Sequence, residues 1–172
     1  MSKVFCVVRA TNEDSFNDCI GALENLKYPY VVIKSDSSLE DKSKSTIKIG
    51  AEKSGEYGWI MAVDADVIIT QQVDWVEKYC EHMEKNTDWF CFTGWLDCTK
   101  RGLIVGLHFF RTSECQKAYD IIKDRDFSFH MGRQEYEICK LLKLTYGMNW
   151  DTGYLKESFG KHLFEVNNHG KT

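Results

Sequence analysis

Nowhere in the 172 residues does an apolar run approach the roughly 20 needed to cross a bilayer, so no membrane span is expected. The N-terminus, MSKVFCVVRATNE, has one early basic residue and a short apolar run, then turns polar without a small-residue cleavage site. It reads as a first strand, not a secretion signal. Excess positive charge is also missing. Lys and Arg number 22 against 26 Asp and Glu, a formal net charge of -4, and that balance gives no pull toward nucleic acid or an anionic membrane. The seven cysteines, at 6, 19, 80, 91, 98, 115 and 139, include no C-x-x-C pair, which argues against a zinc cage. Their odd number, with apolar neighbours at Cys6, Cys91 and Cys139, points to reduced, buried thiols and a cytoplasmic location. Repeats, low-complexity tracts and linkers are absent. A single domain over residues 1–172 is expected.

What is present is an alternation of strand and helix patterns. Residues 3–10, KVFCVVRA, are nearly continuously apolar, as a central strand covered on both faces would be. A helical spacing of Phe16, Cys19, Ile20 and Leu23 follows, with Asn12 or Asp14 as a candidate cap, and Pro29 closes the unit. YVVIKSD (30–36) is a second strand. Strand, helix, strand in this order predicts a βαβ unit and a mainly parallel central sheet. Residues 37–56 are polar and weakly helical, and WIMAVDADVII is the most apolar strand. A helix from Asp74, two strands around residues 97–102, a helix from Thr112 and a helix stopped by Gly147 complete the pattern. The tail, 148–172, shows little periodicity and is expected to close over a site.

The chemistry is concentrated in GWIMAVDADVIIT, residues 58–70. In an extended segment, residues two apart face the same way, so Asp64 and Asp66 would share one side at the C-terminal end of a central strand. Ligands bind at that edge in open α/β sheets. Two converging carboxylates with no Lys or Arg nearby in sequence suggest a hard divalent cation as partner.

Four stretches, taken in order, resemble the GT-A fold glycosyltransferases, most closely the family 2 type. They are VVRATNEDSFNDCIGALENLKYP, YVVIKSDSS, GAEKSGEYGWIMAVDADVII and RQEYEICKLLKLTYG. The third is the most specific, because it joins the D-x-D to the helix and Gly-Glu-Tyr expected upstream. The resemblance covers about residues 3–148. It implies a Rossmann-like GT-A domain that binds a nucleotide-diphosphate sugar, most commonly a UDP-sugar, with Mn²⁺ or Mg²⁺. It places Asp66 on the metal and Asp64 on the ribose, or on the metal through water. Arg9, Ala10, Thr11 and Asp36 would hold base and ribose. The family's Arg-Asn-x-Gly is replaced here by STIKIG, where Lys48 is the candidate pyrophosphate contact.

The same resemblance sets Glu135 in place of the catalytic base of an inverting transfer, at a helix start where the macrodipole favours a carboxylate. It implies a third metal ligand, a His near the C-terminus. His169 is the first candidate and His162 the second, with Lys171 near the phosphates. TGWLD offers Trp95 and Asp97 for sugar or acceptor contact; Trp150 and Asp151 fall on the same edge. Trp59, Trp75 and Trp89 read as core, and His108 and Arg111 as structural.

The expected function is metal-dependent transfer of a sugar, inverting in the family pattern, to an unknown hydroxyl acceptor, with homo-oligomerisation left open. Three alternatives compete. A sugar-nucleotide-binding module without catalysis would explain Gln134 in place of the family's Glu and the short chain. A haloacid dehalogenase-like phosphatase also carries D-x-D after an apolar strand, but after its first strand and with a downstream Lys and acidic pair. A nucleotidyltransferase would need an N-terminal glycine-rich phosphate loop, which is absent.

Overall fold

Strand β1 (Val4–Ala10) is buried along its whole length, and its period of two feeds two separate apolar layers. Val4, Cys6, Val8 and Ala10 join one layer, Phe5 and Val7 the other. In this computed structural model, residues 2–98, 106–126, 134–151 and 157–163 are described. The first layer packs against α1 (Phe16–Asn25) through Cys19 and Leu23. Its N-cap is Ser15, not Asn12 or Asp14; the Ser15 hydroxyl instead donates to the Ala65 carbonyl at 2.9 Å. Strand β2 (Tyr30–Lys34) follows. The polar stretch after it forms α2 (Leu39–Lys53), capped by Ser38, whose hydroxyl accepts from the Asp41 N–H. Its inward face carries Lys42, Ser43, Thr46, Ile47 and Gly50, and Ile47 joins the second layer.

Strand β3 (Trp59–Asp64) ends at Asp64. Ala65 and Asp66 form a turn, and β4 (Val67–Ile69) leaves in another direction. The expectation that Asp64 and Asp66 lie along one strand is therefore corrected: the chain bends between them, and each carboxylate meets a different partner. Next come α3 (Val73–Asn86), whose first turn contains Asp74 and whose N-cap is Gln72, and β5 (Trp89–Thr93). The apolar run beyond β5 breaks at Gly94 and continues as β6 (Leu96–Cys98) in a different sheet. Strand β7 (Leu107–Arg111) leads into α4 (Thr112–Ile122). Helix α5 (Gln134–Tyr146) stops at Gly147, whose φ of 73° suits a glycine ending a helix. Two short strands follow, β8 (Asn149–Asp151) and β9 (Gly160–His162). Parts of the aperiodic tail are thus built into sheets, not held as a loose cover.

The six-stranded sheet has the order β2-β1-β3-β7-β5-β8. Strands β2, β1 and β3 pair in parallel, as do β5 and β8, while β7 runs antiparallel to both neighbours. The sheet is mixed, mainly parallel, and single-domain. From β1 the chain goes outward to β2, then returns to the other side as β3. That reversal is a topological switch point, the crevice where open α/β sheets take ligands. A second sheet, β4-β9-β6, sits beside it. Among the described residues no helix is long and apolar enough to cross a membrane.

Candidate functional site

Arg9 and Asp64 are paired in register on β1 and β3, at the C-terminal ends of the two strands that flank the switch point. Both continue the second layer's alternation, but as charges. Arg9 Nε donates to Asp64 Oδ1 at 2.8 Å, and Arg9 Nη1 donates to Glu135 Oε1 at 2.8 Å. Ser43 Oγ lies 3.4 Å from the same Nη1. Arg9 is only 4% exposed. Burial alone would lower its pKa; Asp64 and Glu135 outweigh that and raise it. A buried charge is tolerable when paired and hydrogen-bonded in this way. The cation opposite Asp64 is therefore a protein side chain from the neighbouring strand.

Glu135 opens α5 and is buried. Desolvation would raise its pKa, but the charge of His108 and the charge and hydrogen bond of Arg9 bring it down to about 2. His108 Nε2 is 3.9 Å from Glu135 Oε1. Its other nitrogen, Nδ1, is 3.3 Å from Thr93 Oγ1. Burial acts to lower the His108 pKa, and the Glu135 charge reverses this and raises it.

Asp66 is fully buried and faces His162: Nε2 to Oδ2 is 3.6 Å, with the two side chains 2% and 1% exposed. The turn's backbone is also tied down. Ala65 N–H donates to the Arg9 carbonyl at 3.1 Å, Leu163 N–H to the Asp66 carbonyl at 2.8 Å, and Asp64 N–H to the Gly106 carbonyl at 2.8 Å. Gly106 has φ of 108°. A methyl group on its Cα would lie 3.2 Å from His162 Cδ2 and 3.4 Å from Asp64 Oδ2. A side chain at Gly106 would therefore press on Val67, His162 and the Asp64 carboxylate.

The donor chemistry there suits a hard divalent cation, since carboxylate oxygen with one imidazole serves Mn²⁺ or Mg²⁺. Among the described residues no group of three or more His, Cys, Asp or Glu side chains forms a ready cage. Asp66 and His162 are the two side chains there that could hold such a cation.

Around β1's end, Thr11 N–H donates to Glu13 Oε2 at 2.7 Å, and the Lys42 ammonium donates to the Thr11 hydroxyl. Desolvation lowers the Lys42 pKa, opposed by Glu13, Asp64 and Asp36. Lys42 is the α2 lysine at the site. Lys48, the expected pyrophosphate contact, is exposed on the same helix. Asp36 is exposed and Ala10 is core. Trp95 is half-buried and its carbonyl accepts from Phe159 N–H, while Asp97 is exposed on β6, opposite Lys161 of β9. Asp97 therefore belongs to the small sheet that also carries His162, and Trp95 immediately precedes its strand β6. Trp59 is core, and Trp75 and Trp89 pack against the first layer. Arg111 donates to the Trp89 and Thr87 carbonyls. Trp150 and Asp151 lie on β8. His169 and Lys171 lie outside the described residues.

Sequence reasoning missed Lys42 and the participation of His108. Both had a signal. Thr46, Ile47 and Gly50 set the inward phase of α2, which turns Lys42 inward, and alternation in LHFFR puts His108 on the face of Phe110.

This arrangement defines an α/β fold of the GT-A type. No protein-family model and no curated protein matches the sequence. Solved structures share the fold. A 4-diphosphocytidyl-2C-methyl-D-erythritol synthase from Anaerococcus prevotii aligns with a TM-score of 0.61 at 6% identity, over 96% of this chain and 94% of that one. A mutant of Drosophila β1,4-galactosyltransferase 7, in complex with manganese, UDP-Gal and xylobiose, aligns with a TM-score of 0.53 at 9% identity, over 97% and 74%. A glycosyltransferase involved in glycosylating the major capsid of PBCV-1 aligns at 0.51 with 10% identity, over 87% and 81%.

Proposed function

We propose that this protein is a sugar-nucleotide transferase that moves a sugar from a nucleotide-diphosphate donor, a UDP-sugar by preference, to a hydroxyl acceptor. One observation carries the reading: the Asp64–Ala65–Asp66 turn sits at the switch-point edge with Asp66 against His162. The neighbouring folds include glycosyltransferases, one of them with manganese and UDP-Gal.

In this reading Asp66 and His162 hold Mn²⁺ or Mg²⁺, with Asp64 beside them and His169 as a further candidate ligand. When bound, the cation offsets the charge that develops on the leaving diphosphate. Lys42 and the Thr11 hydroxyl supply a cationic and a donor contact on the opposite side. Arg9 and Asp36 flank the base and ribose, with Trp95 and Asp97 toward sugar or acceptor. Arg9's charge is already matched by two carboxylates, so its part is to orient Asp64. In the family's inverting pattern Glu135 would be the base. Its ion pair with Arg9 and its pKa of about 2 support an anchoring role better than proton abstraction, which works best near neutral pKa. The tail, residues 148–172, is proposed to close over the site. The six cysteines described as buried and free are in keeping with the cytoplasmic location we propose.

A nucleotidyltransferase reading has one observation in its favour, the fold shared with the A. prevotii synthase. Against it, β1 runs into RATNEDS, with no glycine-rich phosphate loop. The deciding experiment is a thermal-shift screen of nucleotides and nucleotide sugars, with and without Mn²⁺. A Mn²⁺-dependent shift with UDP or a UDP-sugar supports the reading. Equal UDP binding in chelator removes the metal. A response confined to CTP redirects the assignment to nucleotidyl transfer.

A further inference from the structure

The six-stranded sheet ends in β2 on one side and β8 on the other. Strand β8 has three residues, of which Asn149 and Asp151 are polar. Strand β2, YVVIK, has five, and only its last residue is charged. Its pairing with β1 runs without a bulge from Cys6 opposite Tyr30 to Ala10 opposite Lys34. Sheet edges are ordinarily blunted by charge, proline, bulges or shortness; inside β2 only Lys34 does so. Among the described residues no strand pairs with its outer side.

Two hydrogen bonds fix which way each backbone group of β2 points. Cys6 N–H donates to the Pro29 carbonyl at 2.9 Å, and Ser35 N–H to the Ala10 carbonyl at 3.2 Å. Alternate residues of a strand bond the same neighbour, so Pro29, Val31, Ile33 and Ser35 turn their groups toward β1. Tyr30, Val32 and Lys34 turn theirs outward. The side chains alternate as well. Tyr30 and Val32 pack against the first layer and Ile33 against the second, while Val31 is 38% exposed. On the first-layer face the edge carries opposite charges at its two ends. Glu24 of α1 accepts from the Tyr30 hydroxyl at 2.7 Å. The Lys34 ammonium lies 4.6 Å from the centre of the Phe16 ring. Both Glu24 and Lys34 are exposed.

We propose that β2 is the contact between two copies of this chain, paired antiparallel about Val32 into one continuous sheet. A two-fold axis at Val32 sets Val32 opposite itself and Tyr30 opposite Lys34 of the second copy. Residues whose groups point outward then meet one another and exchange both bonds, as in the hydrogen-bonded pairs of an antiparallel ladder. A slip of one residue would set outward groups against inward ones. In this register Val31 of each copy comes against Ile33 of the other, which covers its exposed side chain. Lys34 of each copy comes beside Tyr30 and Glu24 of the other, so both ends gain an opposite-charge contact. The surface is self-complementary, as a two-fold interface requires. A bare edge would accept any extended chain; Glu24 and Lys34 at opposite ends select a second copy of this one. Asp64 lies on β3, two strands inward, so the pairing is independent of the transferase reading.

The test is sedimentation equilibrium of the full chain over a concentration series, with circular dichroism to confirm folding. The wild type is expected to reach twice the monomer mass. Val32→Pro removes an outward N–H and keeps the bonds to β1, since an edge strand tolerates proline where the N–H faces away from the sheet. It is expected to be folded and monomeric. Lys34→Glu brings two acids together at each end and is expected to raise the dimer dissociation constant about tenfold or more. Glu24→Lys combined with Lys34→Glu restores opposite charges and is expected to return the constant toward the wild-type value. The proposal is overturned if Lys34→Glu dimerises as the wild type does, or if the double variant fails to recover. It is also overturned if the wild type is monomeric at every concentration, which would leave the edge to a different chain. Should Val32→Pro fail to fold, the charge-exchanged pair decides. None of these readouts needs a sugar nucleotide, so failure of the transferase reading leaves the result standing.

Discussion

Arg9 Nη1 and Glu135 Oε1 are 2.8 Å apart although 126 positions separate them in the chain. The same guanidinium holds Asp64 at 2.8 Å. One buried cation thus ties the first acid of the Asp-Ala-Asp turn to the acid at the start of α5. Breaking a buried pair by removing one member leaves an uncompensated charge, which typically costs about 3–5 kcal/mol. Arg9→Met is expected to destabilise by that order in urea denaturation. Arg9→Met combined with Glu135→Gln is expected to cost less than the sum of the single substitutions. Strict additivity would show that the pair is not coupled.

Glu135→Gln separates the two roles available to this carboxylate. A base acts in the transition state, so its loss lowers kcat with donor affinity unchanged. An anchor sets the position of Arg9 and Asp64, so its loss weakens donor binding and stability together. The expected result is the second. A fall in kcat alone, of about 100-fold or more, would restore the base assignment.

Stability should also follow acid titration of this group. Its folded pKa of about 2 lies below the ordinary 4.5. A depressed folded pKa contributes stability above the unfolded value, and that stability is lost as pH falls from about 4.5 toward 2. At about 1.4 kcal/mol per unit, the loss is on the order of 3 kcal/mol. Urea midpoints measured across this window should fall steeply for the wild type and less steeply for Glu135→Gln. Parallel profiles would remove Glu135 as the source.

The metal proposal rests on His162, which is held in β9 opposite Asp66. His162→Ala is expected to abolish the Mn²⁺-dependent part of UDP affinity, and His169→Ala to reduce it less. Calorimetric titrations in Mn²⁺ and in chelator give the increment for each variant. If neither substitution changes it, the cation is held elsewhere.

Gly106→Ala places a methyl group against Val67, His162 and Asp64, at a φ that side chains rarely adopt. A cost of about 1–3 kcal/mol is expected from the backbone alone, together with loss of metal-dependent binding. Unchanged Tm and affinity would mean that the close approach at Gly106 does not shape the site.

The periodicities alone were enough to read β1, α1, β2, β3 and the stop at Gly147, because local burial patterns and turn chemistry act over a few residues. The Asp-Ala-Asp edge was legible for the same reason: an apolar run that ends in two acids marks where a covered strand emerges. The partners of those acids were not. Asp64 faces Arg9 only because β1 and β3 align in parallel with Arg9 opposite Asp64. Asp66 faces His162 only because β9 adds to β4 in a separate sheet. Lys42, and not Lys48, reaches Thr11 because burial of Ile47 and Gly50 fixes the rotation of α2. Such pairings depend on register, strand order and helix phase, which arise when distant segments pack to bury one core. A charge can stay buried there only if that packing delivers its counter-charge, so tertiary structure decided what the carboxylates face.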